Sequence, residues 1–224
     1  MRALQGNLSI QICSELYVKN PETSELGKRI LTGSIDLIDA IGLDKFTFRK
    51  LAKEIGTTEA SVYRYFENKH KLLLYLVTWY WGWMEYRLEY LLANLPSAEE
   101  RLRRSISLLT EKVVEDSNFS HINEVKLNRI VVAESLKAYL TREVDEDNRQ
   151  GAFAFYKELV DRVSAIVLEL NPDFAYPHML VSTIIEGGHL QRYFAEHLPR
   201  VTDVREGEDS VVKFFTEMAF KTLR

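Results

Sequence analysis

FTFRKLAKEIGTTEASVYRYFENKHKL, residues 46–72, reads as two short helices around a tight turn, with a third helix starting behind them. Phe48, Leu51, Ala52 and Ile55 recur at i, i+3, i+4 and i+7, so they line one helical face and leave Arg49, Lys50, Lys53 and Glu54 on the other. Thr47 stands where its hydroxyl can cap an unpaired first-turn amide, and Gly56 ends the helix after about two turns. Thr57 and Thr58 supply the next cap. Val62 and Phe66, four apart, give the second helix a narrow buried stripe and leave Ala60, Ser61, Tyr63 and Arg64 outside. A short helix showing small, polar, aromatic and cationic groups after a turn containing Gly is the shape that enters a DNA major groove.

The same residues resemble the DNA-binding signature of TetR-type transcriptional regulators over roughly Glu25 to Leu76. The most specific part is Y-x-Y-F-x-N-K-x-x-L, from Tyr63 through Leu72. The rest of the chain matches the family in length and helical character. The resemblance implies that Thr47, Tyr63, Tyr65 and Lys69 hold phosphates, with Lys50 and His70 beside them. It also implies that Arg49, Thr58, Glu59, Ala60, Ser61 and Arg64 approach base edges next to Thr57. Lys69 lies near the start of the long helix, where backbone amides and an ammonium can hold an anion together. An arginine can bind guanine O6 and N7 at once, worth roughly 1–3 kcal/mol of discrimination. Glu59 departs from the basic or amide residue often found at its position; it either accepts from a cytosine amino group or serves as a cap. Tyr65 has burial as its alternative.

Working outward, the segment Ser24 to Ile41 reads as a first helix that braces the other two, burying Leu26, Ile30, Leu37 and Ile41, with Ile38 nearby, and stopping at Gly42. Residues 1–24 form an extension closed by the turn at Asn20-Pro21. The expected division is 1–24 extension, 25–71 helix-turn-helix domain and 72–224 a ligand-binding and dimerisation body. Beyond Asn68, helices are expected to about Asn94, from Ser97 to about Asp116, from Asn123 to Leu140, through Leu170, over 173–197 and over 208–222. Breaks are expected at Leu95-Pro96-Ser97, Asn118 to Ile122, Asn171-Pro172 and His197-Leu198-Pro199. The fold class is therefore all-α, with about nine helices.

Composition supports this: 46% of the 224 residues are hydrophobic, enough for a sizeable core, and only ten glycines and five prolines interrupt the helical periodicity. The net charge of −4 argues against a nucleic-acid binder held by bulk positive charge. Residues 25–71 carry nine basic and seven acidic side chains, whereas the remainder carries twenty and twenty-six, a modestly basic head on an acidic body. Cys13 is the sole cysteine, so no intrachain disulfide or cysteine-held metal is expected. The opening MRALQGNLSIQIC lacks the long apolar core of an export signal, and a reducing cytoplasm is expected. The apolar run Leu72 to Met84 falls short of the roughly 20 residues a membrane crossing needs, so no membrane partner is expected.

In the body, Gly187 and Gly188 sit within a helical pattern, where glycine costs roughly 1 kcal/mol, and close approach of another helix would justify them. The family resemblance implies a homodimer through the last two helices, with Ile184, Gly188, Gln191, Phe215 and Met218 at a two-fold interface and a palindromic double-stranded operator. Trp79, Trp83, Tyr86 and Tyr90 share one stripe of the long helix, which in the family borders an effector cavity. Plain core is its alternative. His121, Tyr156 and Tyr176 are candidate polar contacts to a small apolar or aromatic effector. Two Glu-x-x-His pairs, Glu67/His70 and Glu186/His189, are the best enzyme constellation, but the first lies inside the DNA-binding signature and the second in the dimer helix. No nucleotide, dinucleotide or acyl-transfer motif appears, so neither an enzyme nor a cofactor is expected. A scaffold that binds DNA without an effector is the second alternative. The expectation is a dimeric, ligand-responsive regulator, a repressor by the family's habit.

Overall fold

The computed structural model describes residues 10–115, 121–205 and 207–224. Eleven α-helices stand among them: α1 (Glu25–Ile41), α2 (Phe48–Glu54), α3 (Glu59–Tyr63), α4 (Lys69–Leu92), α5 (Ala98–Thr110), α6 (Glu124–Glu134), α7 (Leu136–Tyr139), α8 (Val144–Arg149), α9 (Ala154–Leu170), α10 (Pro177–His197) and α11 (Ser210–Thr222). They divide into two compact units. One combines Met1–Gly82 with Val113–Phe153, and the other combines Trp83–Lys112 with Ala154–Arg224. Helix α4 runs from the first unit into the second.

In the first unit, Ser24 caps α1 by accepting from the Gly27 amide, and Gly42, at φ 75°, ends it with a backbone bond to Ile38. The buried face of α1 is Ile30, Leu31, Ser34, Ile35 and Ile38; Leu26, Leu37 and Ile41 are half-buried. This rotation from the expected stripe has a steric cause. A Cβ at Gly27 would lie 2.6 Å from the Pro21 Cα and closer still to its carbonyl oxygen, so the turn Pro21–Thr23 presses on α1 at a residue lacking a side chain. Gly33 likewise receives Leu51 of α2 and Ile55 just past its end.

Helices α6 and α7 meet the head through a ladder of opposite charges. Lys126 reaches Asp36 at 2.6 Å, Arg129 grips Asp39 with two bonds of 2.8 and 2.6 Å, and Lys137 reaches Asp44 at 2.8 Å. Exposed pairs of this kind contribute about 0–1 kcal/mol each, so they align the helices more than they stabilise them. The buried Glu134 carboxylate also accepts from the Leu43 amide at 3.0 Å.

The helix expected over 123–140 is divided at Ser135 into α6 and α7, with Glu134 held at that point by Leu43. Helix α5 stops at Thr110, and the expected end at Asp116 lies outside the described residues. There the Arg192 guanidinium takes the Thr110 carbonyl with two bonds of 2.9 and 2.6 Å, satisfying a terminal carbonyl that another turn of helix would otherwise occupy. Gly151, at φ 89°, separates α8 from α9.

The second unit packs α5, α9, α10, α11 and the end of α4 around Leu88, Leu102, Ile106, Leu159, Val163, Ile184, Ile185 and Phe215. Among the described residues no helix is long and apolar enough to cross a membrane.

Candidate nucleic-acid interface

The two short helices of the head are capped as their sequence demands. The Thr47 hydroxyl accepts from the Lys50 amide and the Thr58 hydroxyl from the Ser61 amide, each at 3.2 Å. Between them Gly56 takes φ 65°, a left-handed conformation that side-chain-bearing residues adopt at a cost. The Arg29 guanidinium donates to the Ile55 carbonyl beside that turn. Sequence reasoning did not single Arg29 out, since it lies on α1, a helix assigned only to bracing.

The outer face of this frame is built from the expected residues. Thr47, Arg49, Lys50, Thr58, Ala60, Tyr63, Arg64 and Lys69 are exposed, and Thr57, Glu59 and Ser61 are half-buried. The Thr58 and Ser61 hydroxyls lie 2.8 Å apart. The Tyr63 ring packs edge-on against Phe48, centroids 5.0 Å apart, which fixes its direction while leaving its outer half exposed. The Lys50 ammonium rests on the Lys45 carbonyl at 2.8 Å and that of Lys69 lies 3.4 Å from the Leu43 carbonyl.

Tyr65 is the exception among the expected contacts. Only 4% of it is exposed, its hydroxyl lies 2.8 Å from the Ser24 hydroxyl, and the Lys19 ammonium sits 5.2 Å from its ring centroid. Its carbonyl accepts from the Val18 amide at 2.8 Å. Tyr65 therefore ties the end of the helix-turn-helix to the cap of α1 and to the N-terminal extension, so its place is behind the interface. The signature residues look alike as letters; only packing separates Tyr63 from Tyr65. Asn68 caps α4 by accepting from the Lys71 amide at 2.9 Å.

The body residues scatter. In the first unit, Trp79 is buried, and His121 pairs with Glu22 at 2.7 Å while its carbonyl accepts from Thr32. In the second, Trp83 is fully buried with the Arg87 guanidinium over its ring at 4.7 Å, Tyr86 is half-buried, and Tyr156 donates to Glu186 at 3.2 Å. Burial raises the pKa of both Tyr156 and Glu186. Tyr90 and Tyr176 are 78% and 62% exposed, which removes them from any enclosed site within the described chain.

The expected dimer residues divide in the same way. Ile184, Gly188 and Phe215 face the interior of their own unit: a Cβ at Gly188 would meet Thr110 of α5 at 2.9 Å, and one at Gly187 would meet the Phe215 ring at 2.6 Å. The two glycines thus admit neighbouring helices of the same chain. Gln191 and Met218 are half-buried, while Met179, Leu190, Tyr193 and Phe214 are exposed. Of the two Glu-x-x-His pairs, His70 is bonded to Asp147 and Glu186 to Tyr156. Among the described residues no group of three or more His, Cys, Asp or Glu is placed to hold a metal.

An exposed, doubly capped helix-turn-helix on an otherwise helical chain is the arrangement that suits a DNA major groove. Residues 30–76 match the model of the bacterial regulatory proteins of the tetR family. The chain is similar to a fatty acid metabolism regulator protein of Bacillus subtilis (strain 168), 26% identical over 118 residues that make up 50% of this chain and 61% of that protein. The match thus spans less than two thirds of that relative. Its fold resembles the fatty acid degradation regulator FadR from Bacillus halodurans, with TM-score 0.61 and 18% identity over 88% of this chain and 98% of that one. It also resembles AibR, solved in complex with isovaleryl coenzyme A and operator DNA, with TM-score 0.58 and 18% identity over 89% and 97% of the two chains. At these identities the structural likeness is one of fold.

Proposed function

We propose that this chain is a cytoplasmic, homodimeric repressor that binds a palindromic operator through its head and releases it when a small apolar effector enters the body. The observation that carries the reading is the head's outer face: Arg49, Ala60, Tyr63, Arg64 and Lys69 are all exposed on a rigidly capped helix-turn-helix. Cations and Tyr63 serve the phosphates, and Arg49 and the start of α3 serve the base edges. In a retained-sequence selection from random duplexes at physiological salt, the wild type is expected to enrich a palindrome. Its half-sites should lie about 34–36 Å or a multiple of that apart. Arg49→Ala should blur one base position at a cost of roughly 1–3 kcal/mol, and Tyr63→Ala should weaken every sequence evenly. Enrichment of no sequence by the wild type would remove the function.

The names of the similar proteins support an acyl chain as the effector, with a coenzyme A thioester as the first compound to test. Added to the retained complex, isovaleryl or longer acyl coenzyme A is expected to release the palindrome, whereas coenzyme A alone leaves it bound. Release requires the effector to bind the DNA-free state more tightly than the DNA-bound one.

For the dimer, the exposed stripe Met179, Leu190 and Tyr193 on α10, joined by Phe214 on α11, replaces the inward residues as the proposed interface. Sedimentation at micromolar concentration is expected to give twice the chain mass, and Leu190→Asp with Phe214→Asp to give the monomer. A monomeric wild type would eliminate the two-fold arrangement.

A further inference from the structure

Of the acidic run Asp145-Glu146-Asp147, Asp145 and Glu146 are exposed, whereas Asp147 is 2% exposed, a burial a carboxylate sustains only with partners. Each of its oxygens has one. Oδ2 meets His70 Nε2 at 2.8 Å, and Oδ1 accepts from Lys71 Nζ at 3.0 Å. The same ammonium donates to Gln150 Oε1 at 2.7 Å. The pairing with His70 and Lys71 holds the Asp147 carboxyl below the usual carboxylate range despite its burial.

Both partners lie in the first turn of α4, directly after Lys69 and six to eight residues beyond Tyr63 and Arg64. The segment bearing Asp147 is fastened at further points along the same helix. The Ala152 carbonyl accepts from the Thr78 hydroxyl at 2.7 Å, and the Tyr139 hydroxyl accepts from Trp81 Nε1 at 2.9 Å. The Tyr139 and Phe153 rings pack edge-on at 5.5 Å. Residues 139–153 therefore form a strap along α4, and its ionic grip falls on the turn that enters the DNA-binding face.

We infer that Asp147 is a positioning residue for DNA recognition, holding His70 and Lys71 so that the start of α4 sets Lys69, Tyr63 and Arg64 in register with the groove. The inference rests on the reading of the head as the operator-binding element. Asp147 touches no DNA itself. Its loss should leave every exposed cation in place and so preserve the sequence-independent attraction to phosphates, while loosening the geometry that reads bases.

The test is the ratio of affinity for the selected palindrome to affinity for a scrambled duplex, measured for the full chain at fixed salt. Asp147→Asn is expected to lower that ratio roughly 2- to 30-fold, the range of couplings carried through packed networks. Affinity for the scrambled duplex should hardly change. A partial loss of folded protein would lower both affinities together and leave the ratio intact, so the ratio separates positioning from mere destabilisation. Since the buried substitution risks unfolding the chain, His70→Ala is the second variant; it removes the Nε2 tie at a half-exposed side chain and should lower the ratio in the same direction. Wild-type ratios in both variants would overturn the positioning role alone. A wild type with a ratio of one would overturn the operator-binding reading beneath it.

Discussion

Trp83→Ala is expected to destabilise the chain by about 3–5 kcal/mol, the range for deleting a large aromatic from a closed core. Trp83 has no exposed surface, and the Arg87 guanidinium lies across its ring while reaching Glu111 at 3.0 Å. Removing the indole leaves a cavity and takes away the face on which Arg87 rests. Against a total stability of about 5–15 kcal/mol, that is a large fraction. The same substitution at Tyr90, about two turns further along α4 and mostly exposed, should stay within about 0.5 kcal/mol. Urea midpoints of the two variants give the comparison, with free indole added to refill the space. The magnitude also separates core from effector wall, because a wall that already faces empty space has fewer contacts to lose. A loss under 1 kcal/mol at Trp83 would assign it to the wall.

The second large effect is acid destabilisation through His189. This imidazole is buried among the helices of the second unit, and burial alone pushes its pKa down to about 4 from an ordinary value near 6.5. Between those values the unfolded chain binds a proton that the folded chain does not, so stability rises with pH across the window and is lost as pH falls from 6.5 towards 4. The full loss is on the order of 3 kcal/mol, and above pH 6.5 the group contributes no slope. Glu85 and Glu186 oppose it: burial raises both, so their protonation on acidification favours the folded state. The informative curve is therefore the difference between wild type and His189→Gln, measured by urea unfolding from pH 4 to 8. It should be level above 6.5 and slope below. A level difference throughout would mean that His189 carries its charge in the folded chain.

Much of the head could be read directly from its letters, because capping and periodicity act over three or four residues and so leave local traces. Thr47, Thr58, Gly56 and the Phe48–Leu51–Ala52 face are all of this kind. The misreadings come from contacts between distant residues. Tyr65 turns inward because Ser24, forty-one positions earlier, meets its hydroxyl, and α5 ends early because Arg192, eighty-two positions later, takes its last carbonyl. Gly187 and Gly188 did signal close packing, but nothing in their spacing distinguished a helix of the same chain from one of a partner. Asp147 was hidden for the opposite reason. It sits in an acidic run whose neighbours are solvated, and one member of such a run is singled out only by what lies opposite it.

The charge ladder between the head and α6–α7 also bears on how the chain is made. Asp36, Asp39 and Asp44 find their cations some ninety residues later, at Lys126, Arg129 and Lys137. At about 5–20 residues per second, those partners reach the ribosome exit several seconds after the head itself has been synthesised. Through that interval the recognition helices are present while one flank of their brace is missing, and closing so long a loop adds an entropic delay of its own. The nascent head is thus completed late, by a part of the chain outside the helix-turn-helix.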